Sequence, residues 1–442
     1  MNQRKPLHET PPTRESLLPG EILLCLAAGF WFWLHRAQLL GGDGELIVTL
    51  VEGGVWVVSN EMLAQVLLQV AYQAGRLGQR TPLEVINGVS CLAGVITLAI
   101  LLRGSRIHWG WRAPWPFLLF CSTGFLLFAC GHTEYYPLLL PCLFAFGFAG
   151  LSYFKQRCGF GAPLSLFLLG CALHFVMLCA LPALIALPWL AGRRARLLHG
   201  AMLITGIAAL FVIRTYSARW GVPSASISPA VNFLPLLPSE DMYRYYAFWD
   251  RGMAVDWLYA WAMRSWIIWP ALVAVWLHNR NRAWNPERGF LLLYAGGFIL
   301  FSLVWHPDLG MRKDWDLFAL ETAASLMLLL SLLRDTKPNS AWRATLAIAC
   351  LAAIALRYED IAARHHAQPT TFSALEIQLQ EPEESTLLLD GKQIQPTVPQ
   401  LRSGYYSLKW INRKQKSVRD YTLAVPESGA LSIRLPAAEL SE

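Results

Sequence analysis

The stretch from Trp305 to Leu317, WHPDLGMRKDWDL, sets His306, Asp308, Arg312, Lys313, Asp314 and Asp316 between two apolar runs, Gly289 to Val304 and Phe318 to Leu333. The adjacent cations suit a phosphate group. An arginine donates two parallel hydrogen bonds to phosphate oxygens, and a lysine adds a compact charge. The three acids can fix those cations or offer oxygen ligands to a divalent metal. The plain alternative is a solvated loop whose charges cancel. Ionisable groups so close to an apolar phase are expensive to desolvate, however, and that cost marks a candidate site.

A second polar stretch, GHTEYYP at Gly131 to Pro137, places His132 and Glu134 either side of one residue. In an extended turn both project to the same side, where they can act together on one ligand. Tyr135 and Tyr136 can stack on a sugar or line the water interface. An ordinary interfacial aromatic belt accounts for the tyrosines but not for a histidine and a glutamate so close together. A third stretch, GGDGELI at Gly41 to Ile47, carries Asp43 and Glu45 around Gly44. A lone acid between glycines is ordinarily a turn residue. His174, in LGCALHFVML, weighs a packing role against a site role. Arg244 and Arg251 lie at the end of a long aromatic stretch, Ser217 to Asp256, which reads as a lid or binding platform with two reserve phosphate contacts.

The elements that must position these residues follow from composition. Hydrophobic residues make up 55% of the 442 and charged residues 15%, against roughly 25% charged in a soluble domain; mean hydropathy is +0.37. Repeated apolar runs near the length that crosses about 30 Å of hydrocarbon predict a multi-span α-helical membrane protein. The net charge of +7 sits mostly in short loops between runs, which points to membrane orientation and anionic lipid and not to nucleic acid. The nine cysteines lie in apolar runs or, for Cys158, in a short basic loop, so neither a disulfide framework nor metal-ligand spacing is expected.

The predicted spans are 21–40, 83–102, 114–130, 137–154, 162–175, 177–192, 199–216, 258–278, 289–305, 317–333 and 342–357, about eleven helices. Residues 1–20 form a cytoplasmic tail, and the first run lacks a small-residue cleavage site, so it reads as retained. Splitting the run from Pro163 to Leu190 at His174-Phe175 into a hairpin of short helices puts every arginine-rich loop on the cytoplasmic face. The C-terminus is then outside. The same count brings the Asp43, His132, His174, Arg244 and Trp305 stretches to the outer face. Between the first and second spans, Glu61 to Ala74 carries apolar residues at helical spacing, as an interfacial amphipathic helix would.

An acid in the first outer loop, an amphipathic helix behind it, and many spans with polar outer loops resemble the GT-C superfamily of membrane glycosyltransferases, over about residues 15 to 357. The resemblance implies a GT-C-like transmembrane domain at 21–357 in the inner (plasma) membrane, with an extracytoplasmic active site. It implies an inverting transfer from a polyprenyl-phosphate-linked sugar donor to a glycan, lipid or protein acceptor, with membrane lipids as further partners. The family's first-loop acid serves as base or metal ligand, a role that falls on Asp43. Gly44 separates Asp43 from Glu45 where some members have adjacent acids, which leaves open which carboxylate is the base. Glu134 is the second catalytic candidate. Arg312 and Lys313 form the expected phosphate clamp, with His132, His306, Tyr135 and Arg244 as substrate contacts. Asp43, Asp308 and Asp314 are the set for a divalent metal, Mg or Mn, in a superfamily whose members differ in metal use.

From about Gln368 the long apolar runs stop. STLLLDGK, GYYSLKWI, DYTLAV and ALSIRL alternate as strands do, with Asp390-Gly391 and Ser403-Gly404 where hairpin turns belong. After a linker at 358–380, residues 381–442 resemble a PEGA domain, a small all-β sandwich found outside the cytoplasm. Pro382-Glu383 match the start of its naming motif, while Glu384 and Ser385 replace the Gly-Ala that follows. The resemblance implies a spacer or envelope-binding role. Two other classes fit the composition. A transporter would bury ionisable or broken-helix segments near the midplane, often with internal repeats, and a non-catalytic envelope scaffold would present the β domain.

Overall fold

The computed structural model describes residues 16–37, 44–58, 60–192, 196–220, 251–278, 285–305, 315–336 and 340–366, and seven strands between 373 and 434. The chain divides into two units, Met1–His365 and His366–Glu442.

The first unit is helical. Its elements are α1 (Pro19–Leu34), α2 (Gly44–Glu52), α3 (Met62–Arg76), α4 (Pro82–Trp109), α5 (Pro114–Cys121), α6 (Phe125–Ala129), α7 (Tyr136–Phe154) and α8 (Gly161–Leu173). A 3-10 turn at Phe175–Ala180 follows, then α9 (Leu181–Leu190), α10 (Arg196–Trp220), α11 (Arg251–Ser265), α12 (Ile268–His278), α13 (Pro286–Val304), α14 (Trp315–Ala319), α15 (Glu321–Thr336) and α16 (Ser340–His366). The local chemistry of these boundaries is readable. Thr81 Oγ1 accepts from the Glu84 amide while the Glu84 carboxylate accepts from the Thr81 amide, Pro82 occupies the first turn, and Gly110 closes α4 in the left-handed region. Asn285 caps α13 by accepting from the Arg288 amide.

Among the described residues, five helices are long and apolar enough to cross a membrane: Pro82–Trp109, Tyr136–Phe154, Leu197–Tyr216, Pro286–Val304 and Trp315–Thr336. Four more apolar helices are shorter. The eleven predicted spans are thus not eleven uninterrupted helices. The expected span 114–130 is split between α5 and α6, where the Ser122 and Thr123 hydroxyls bond back to the carbonyls of Leu119 and Phe120. The expected span 258–278 is likewise divided between α11 and α12. The break predicted at His174 is present, with an extended backbone (φ −159°, ψ 131°). The last helix runs on to His366, nine residues past the expected 357.

Glu321 to Leu333 of α15 are all buried, so this helix forms the axis against which α7, α12 and α13 pack. Apolar side chains on the periphery point outward, with Leu23, Leu26 and Phe30 of α1 and Ile204 and Val212 of α10 exposed, as a lipid-facing surface requires. The predicted amphipathic helix forms as α3, whose buried face mixes Ala64 and Leu68 with two glutamines. Gln65 and Gln69 are buried and Leu67 and Val70 exposed.

Basic residues gather at the C-terminal end of α4. Arg106 bonds Glu21 at 2.9 Å, Lys155 and Arg334 both donate to the His108 carbonyl, and Arg288 pairs with Asp335.

The second unit holds β1 (Ser373–Gln378), β2 (Ser385–Leu389), β3 (Lys392–Ile394), β4 (Thr397–Leu401), β5 (Gly404–Asn412), β6 (Ser417–Val425) and β7 (Ala430–Arg434). One sheet runs β4-β1-β7 and the other β3-β2-β5-β6. Leu389 pairs with Lys392; Asp390 and Gly391, where a hairpin turn is expected, lie outside the described residues. The turn expected at Ser403-Gly404 is not a hairpin turn, since β4 and β5 belong to different sheets. β1 lies in the stretch read as linker. Pro399 falls in β4, an edge strand, where its missing N–H costs no ladder bond.

Candidate functional site

At the other end of α4 the chain turns through Gly131–Tyr135, and three separate stretches meet that turn. Gly131 adopts φ +80°, open to glycine at little cost. A Cβ there would also lie 3.1 Å from Arg36 and 3.2 Å from Asn87. The turn is pinned from α4: Ser90 donates to the His132 carbonyl at 2.8 Å, and Thr133 donates to the Asn87 side chain at 3.2 Å. Asn87 in turn donates to the Ala37 carbonyl at 2.6 Å. Two α4 side chains spaced three apart face one way, which is why one helix face can hold the turn and the end of the first helical segment together.

His132 Nε2 lies 2.8 Å from Asp316 Oδ2, and both side chains are buried at 4% exposure. With Nε2 carrying its proton toward the carboxylate, Nδ1 becomes the nitrogen able to accept one. The ring is held on its faces too, 5.3 Å from Phe128 and 5.6 Å from Trp315. Asp316 also accepts from the Leu317 amide at 2.9 Å. The carboxylate is thereby fixed by α14 and aimed at a turn 184 residues earlier in the chain.

Glu134 is buried at 5% exposure. Tyr135, expected to stack on a sugar or line the interface, donates its hydroxyl to Gln65 Oε1 at 2.7 Å, and Gln65 donates to the Val55 carbonyl at 2.6 Å. That chain of bonds docks α3 on the turn. The Tyr136 ring lies 4.9 Å from the His174 ring. His174 accepts from the Val176 amide at 3.1 Å and stands 3.5 Å from Glu61. It therefore holds the helix break and ties it to the approach to α3. Arg251 is exposed at the start of α11.

Asp43, Arg244, His306, Asp308, Arg312, Lys313 and Asp314 lie outside the described residues. The residue after Asp43 does not. A Cβ on Gly44 would come within 2.9 Å of the Thr133 carbonyl, so the backbone at the start of α2 passes directly against the His132 to Glu134 turn, at a separation that glycine permits. Among the described residues, no three His, Cys, Asp or Glu side chains stand close enough together to hold a metal ion.

Sequence reasoning put Asp314 and Asp308 ahead of Asp316. The signal for Asp316 was its place at the start of the next apolar run, where the chain re-enters a helix. Gln65 was legible only as the polar face of α3.

No family model and no curated protein sequence matches the chain, so the PEGA resemblance of its C-terminal strands gains no support there. The fold is similar to solved structures. One is the crystal structure of ArnT from Cupriavidus metallidurans bound to undecaprenyl phosphate, at a TM-score of 0.50 and 14% identity, covering 75% of this chain and 62% of that one. Another is the apo state of the same protein, at 0.52 and 14%, covering 79% and 66%. The chain thus spans about 62% of the length of the lipid-bound structure it matches.

Proposed function

We propose that this chain is a membrane glycosyltransferase of the GT-C type, taking a sugar from a polyprenyl-phosphate carrier and passing it to an acceptor hydroxyl outside the cytoplasm. The observation that carries the reading is the meeting of two distant stretches at the turn that holds His132 and Glu134: Gly44, the residue after Asp43, lies against Thr133, and Asp316 pairs with His132. The fold shared with a protein crystallised with undecaprenyl phosphate supports the choice of donor.

In this reading Asp43 is the base that receives the acceptor proton as the hydroxyl attacks the anomeric carbon from the face opposite the phosphate, inverting the centre. The leaving phosphate is stabilised by cations, with Arg312 and Lys313 as the clamp. His132, fixed by Asp316, and Glu134 hold the acceptor. Asp43, Asp308 and Asp314 would hold a divalent metal where one is used, and it would supply charge at the phosphate. The membrane part crosses eleven times, counting pairs of short helices as crossings. The second unit, read as PEGA-like, lies outside the cytoplasm and binds or spaces envelope partners.

The test has two parts. Purified chain in lipid nanodiscs is expected to release free polyprenyl phosphate from a polyprenyl-phosphate sugar only when acceptor is present. A cysteine placed in the second unit is expected to react with an impermeant thiol reagent on intact cells, and one near Arg194 only after permeabilisation. No turnover with any carrier-linked sugar sinks the activity, and reversed labelling sinks the orientation.

A further inference from the structure

The sequence AWAMRSWIIW puts an arginine in the middle of an apolar stretch. Arg264, near the end of α11, is fully buried, and among the described residues none of its three guanidinium nitrogens has a hydrogen-bond partner. The nearest acid, Glu321, is buried as well, but its Oε1 lies 3.6 Å from Arg264 Nε, beyond hydrogen-bond reach. The same oxygen accepts from Trp269 Nε1 at 3.3 Å. Aromatic faces complete the surroundings, with the guanidinium carbon 5.9 Å from the Trp257 ring and 5.6 Å from the Phe318 ring.

An ion pair that served only to join two helices would close to contact, as Arg106 does on Glu21 at 2.9 Å. A buried guanidinium left with open donors is costly, and within a membrane domain such a residue marks a binding function by default. Its position fits one. The Arg264 carbonyl accepts from the Gly124 amide at 2.9 Å, and a Cβ on Gly124 would lie 2.9 Å from the Trp315 ring and 3.4 Å from Arg264 Cα. The Trp315 ring in turn stands 5.6 Å from His132. Arg264 is therefore one aromatic side chain away from the His132 and Asp316 pair. Glu321, five residues past Asp316, lies about 7.5 Å further along the same helical segment at 1.5 Å per residue.

We infer that Arg264 is a buried phosphate-binding residue, using the planar fork of its guanidinium to take the phosphate of the lipid carrier in two parallel hydrogen bonds. The inference rests on the transferase reading and adds a cation that the sequence motifs do not contain. A guanidinium suits this ligand because its donors match two phosphate oxygens at once. Glu321 sits beside Nε, so it orients the fork while competing for part of its charge.

The experiment is a titration of undecaprenyl phosphate into full-length chain in nanodiscs, read as ligand-induced thermal stabilisation, with inorganic phosphate as a parallel arm. Arg264→Lys keeps the charge and loses the fork, and Arg264→Gln loses both. Each is expected to weaken lipid binding at least roughly tenfold, the equivalent of one charge-assisted hydrogen bond. Glu321→Gln is expected to bind at least as tightly as the parent, because the competing carboxylate is gone. A purely structural pair predicts the reverse pattern, with Arg264→Lys binding normally and Glu321→Gln losing stability as Arg264→Gln does; that result overturns the inference. Should Arg264→Gln fail to fold, Arg264→Lys and Glu321→Gln still decide it. Equal protection by inorganic phosphate overturns the assignment to the carrier. A parent chain that binds no polyprenyl phosphate at all overturns the transferase reading itself, whatever Arg264 does.

Discussion

At the His108 end of α4, basic side chains close on their partners one by one. Arg106 closes on Glu21 at 2.9 Å, Arg334 and Lys155 cap the His108 carbonyl, and Arg288 finds Asp335. At the Asn87 end, ionisable groups from separate stretches converge on one turn, buried to the same depth as Glu21 and Arg288 at the other end. His132 and Asp316 are each 4% exposed, and Glu134 is 5% exposed. The first arrangement is what a chain needs in order to stop at a membrane boundary, with each charge satisfied by a nearby partner. The second gathers ionisable groups around a single turn, and anchoring does not require that. Convergence on one place separates a site from an anchor more clearly than depth does.

The sharpest way to break this contrast is to remove the proposed base. Asp43→Asn is expected to lower sugar transfer on the order of 10²–10⁴-fold with the chain still folded, and Glu45→Gln to be milder. Parental turnover in Asp43→Asn beside a dead Glu45→Gln or Glu134→Gln would move the base to the other carboxylate. Next in size is the pair that anchors the turn. Asp316→Leu leaves a buried His132 nitrogen without its partner, a loss of about 1–3 kcal/mol. It should lower the melting temperature and also depress transfer at temperatures where the variant is fully folded. If transfer per folded molecule holds at the parental rate, the pair is only structural. Gly44→Ala tests the same place from the backbone side. Its methyl would meet the Thr133 carbonyl, so transfer should fall while the helical content measured by circular dichroism stays the same.

The smallest effect belongs to the basic end. Arg106→Met unpairs the buried Glu21 and should cost about 1–2 kcal/mol in stability, read from the same melting curves. Transfer by the folded fraction should not change. A loss of transfer there would mean that the two ends of α4 are coupled, and the contrast between anchor and site would fail.

Much of this was legible in the sequence, for identifiable reasons. The helix break at His174 could be read because charge bias demanded a reversal, and α3 because its apolar spacing was regular. Glu134 and His132 stood out as ionisable residues two apart among apolar neighbours. Tyr135 was harder, since nothing local shows that its hydroxyl reaches Gln65, which lies 70 residues away in sequence. Asp316 ranked behind Asp314 because the loop's composition does not reveal which acid enters the helix and becomes buried. Arg264 and Glu321 are single charges in apolar runs, visible as anomalies, but their nearness is a property of packing. Helices and predicted spans part where hydropathy runs continuously through Ser122 to Gly124, since short polar residues that bond their own turn interrupt a helix without lowering its apolar content.

The length of α4 has a consequence for where chemistry meets the bilayer. Its 28 residues rise about 42 Å at 1.5 Å each, against roughly 30 Å of hydrocarbon. A helix centred in the membrane therefore has about four residues to spare at each end, and Asn87 and Ser90, which hold the His132 turn, fall just inside the boundary between acyl chains and head groups. A lipid carrier diffusing in the plane of the membrane would bring its phosphate to that depth without being lifted out of the leaflet. Bilayer thickness then becomes a control on the site: a thicker membrane draws α4 upright and the turn deeper, and a thinner one tilts the helix.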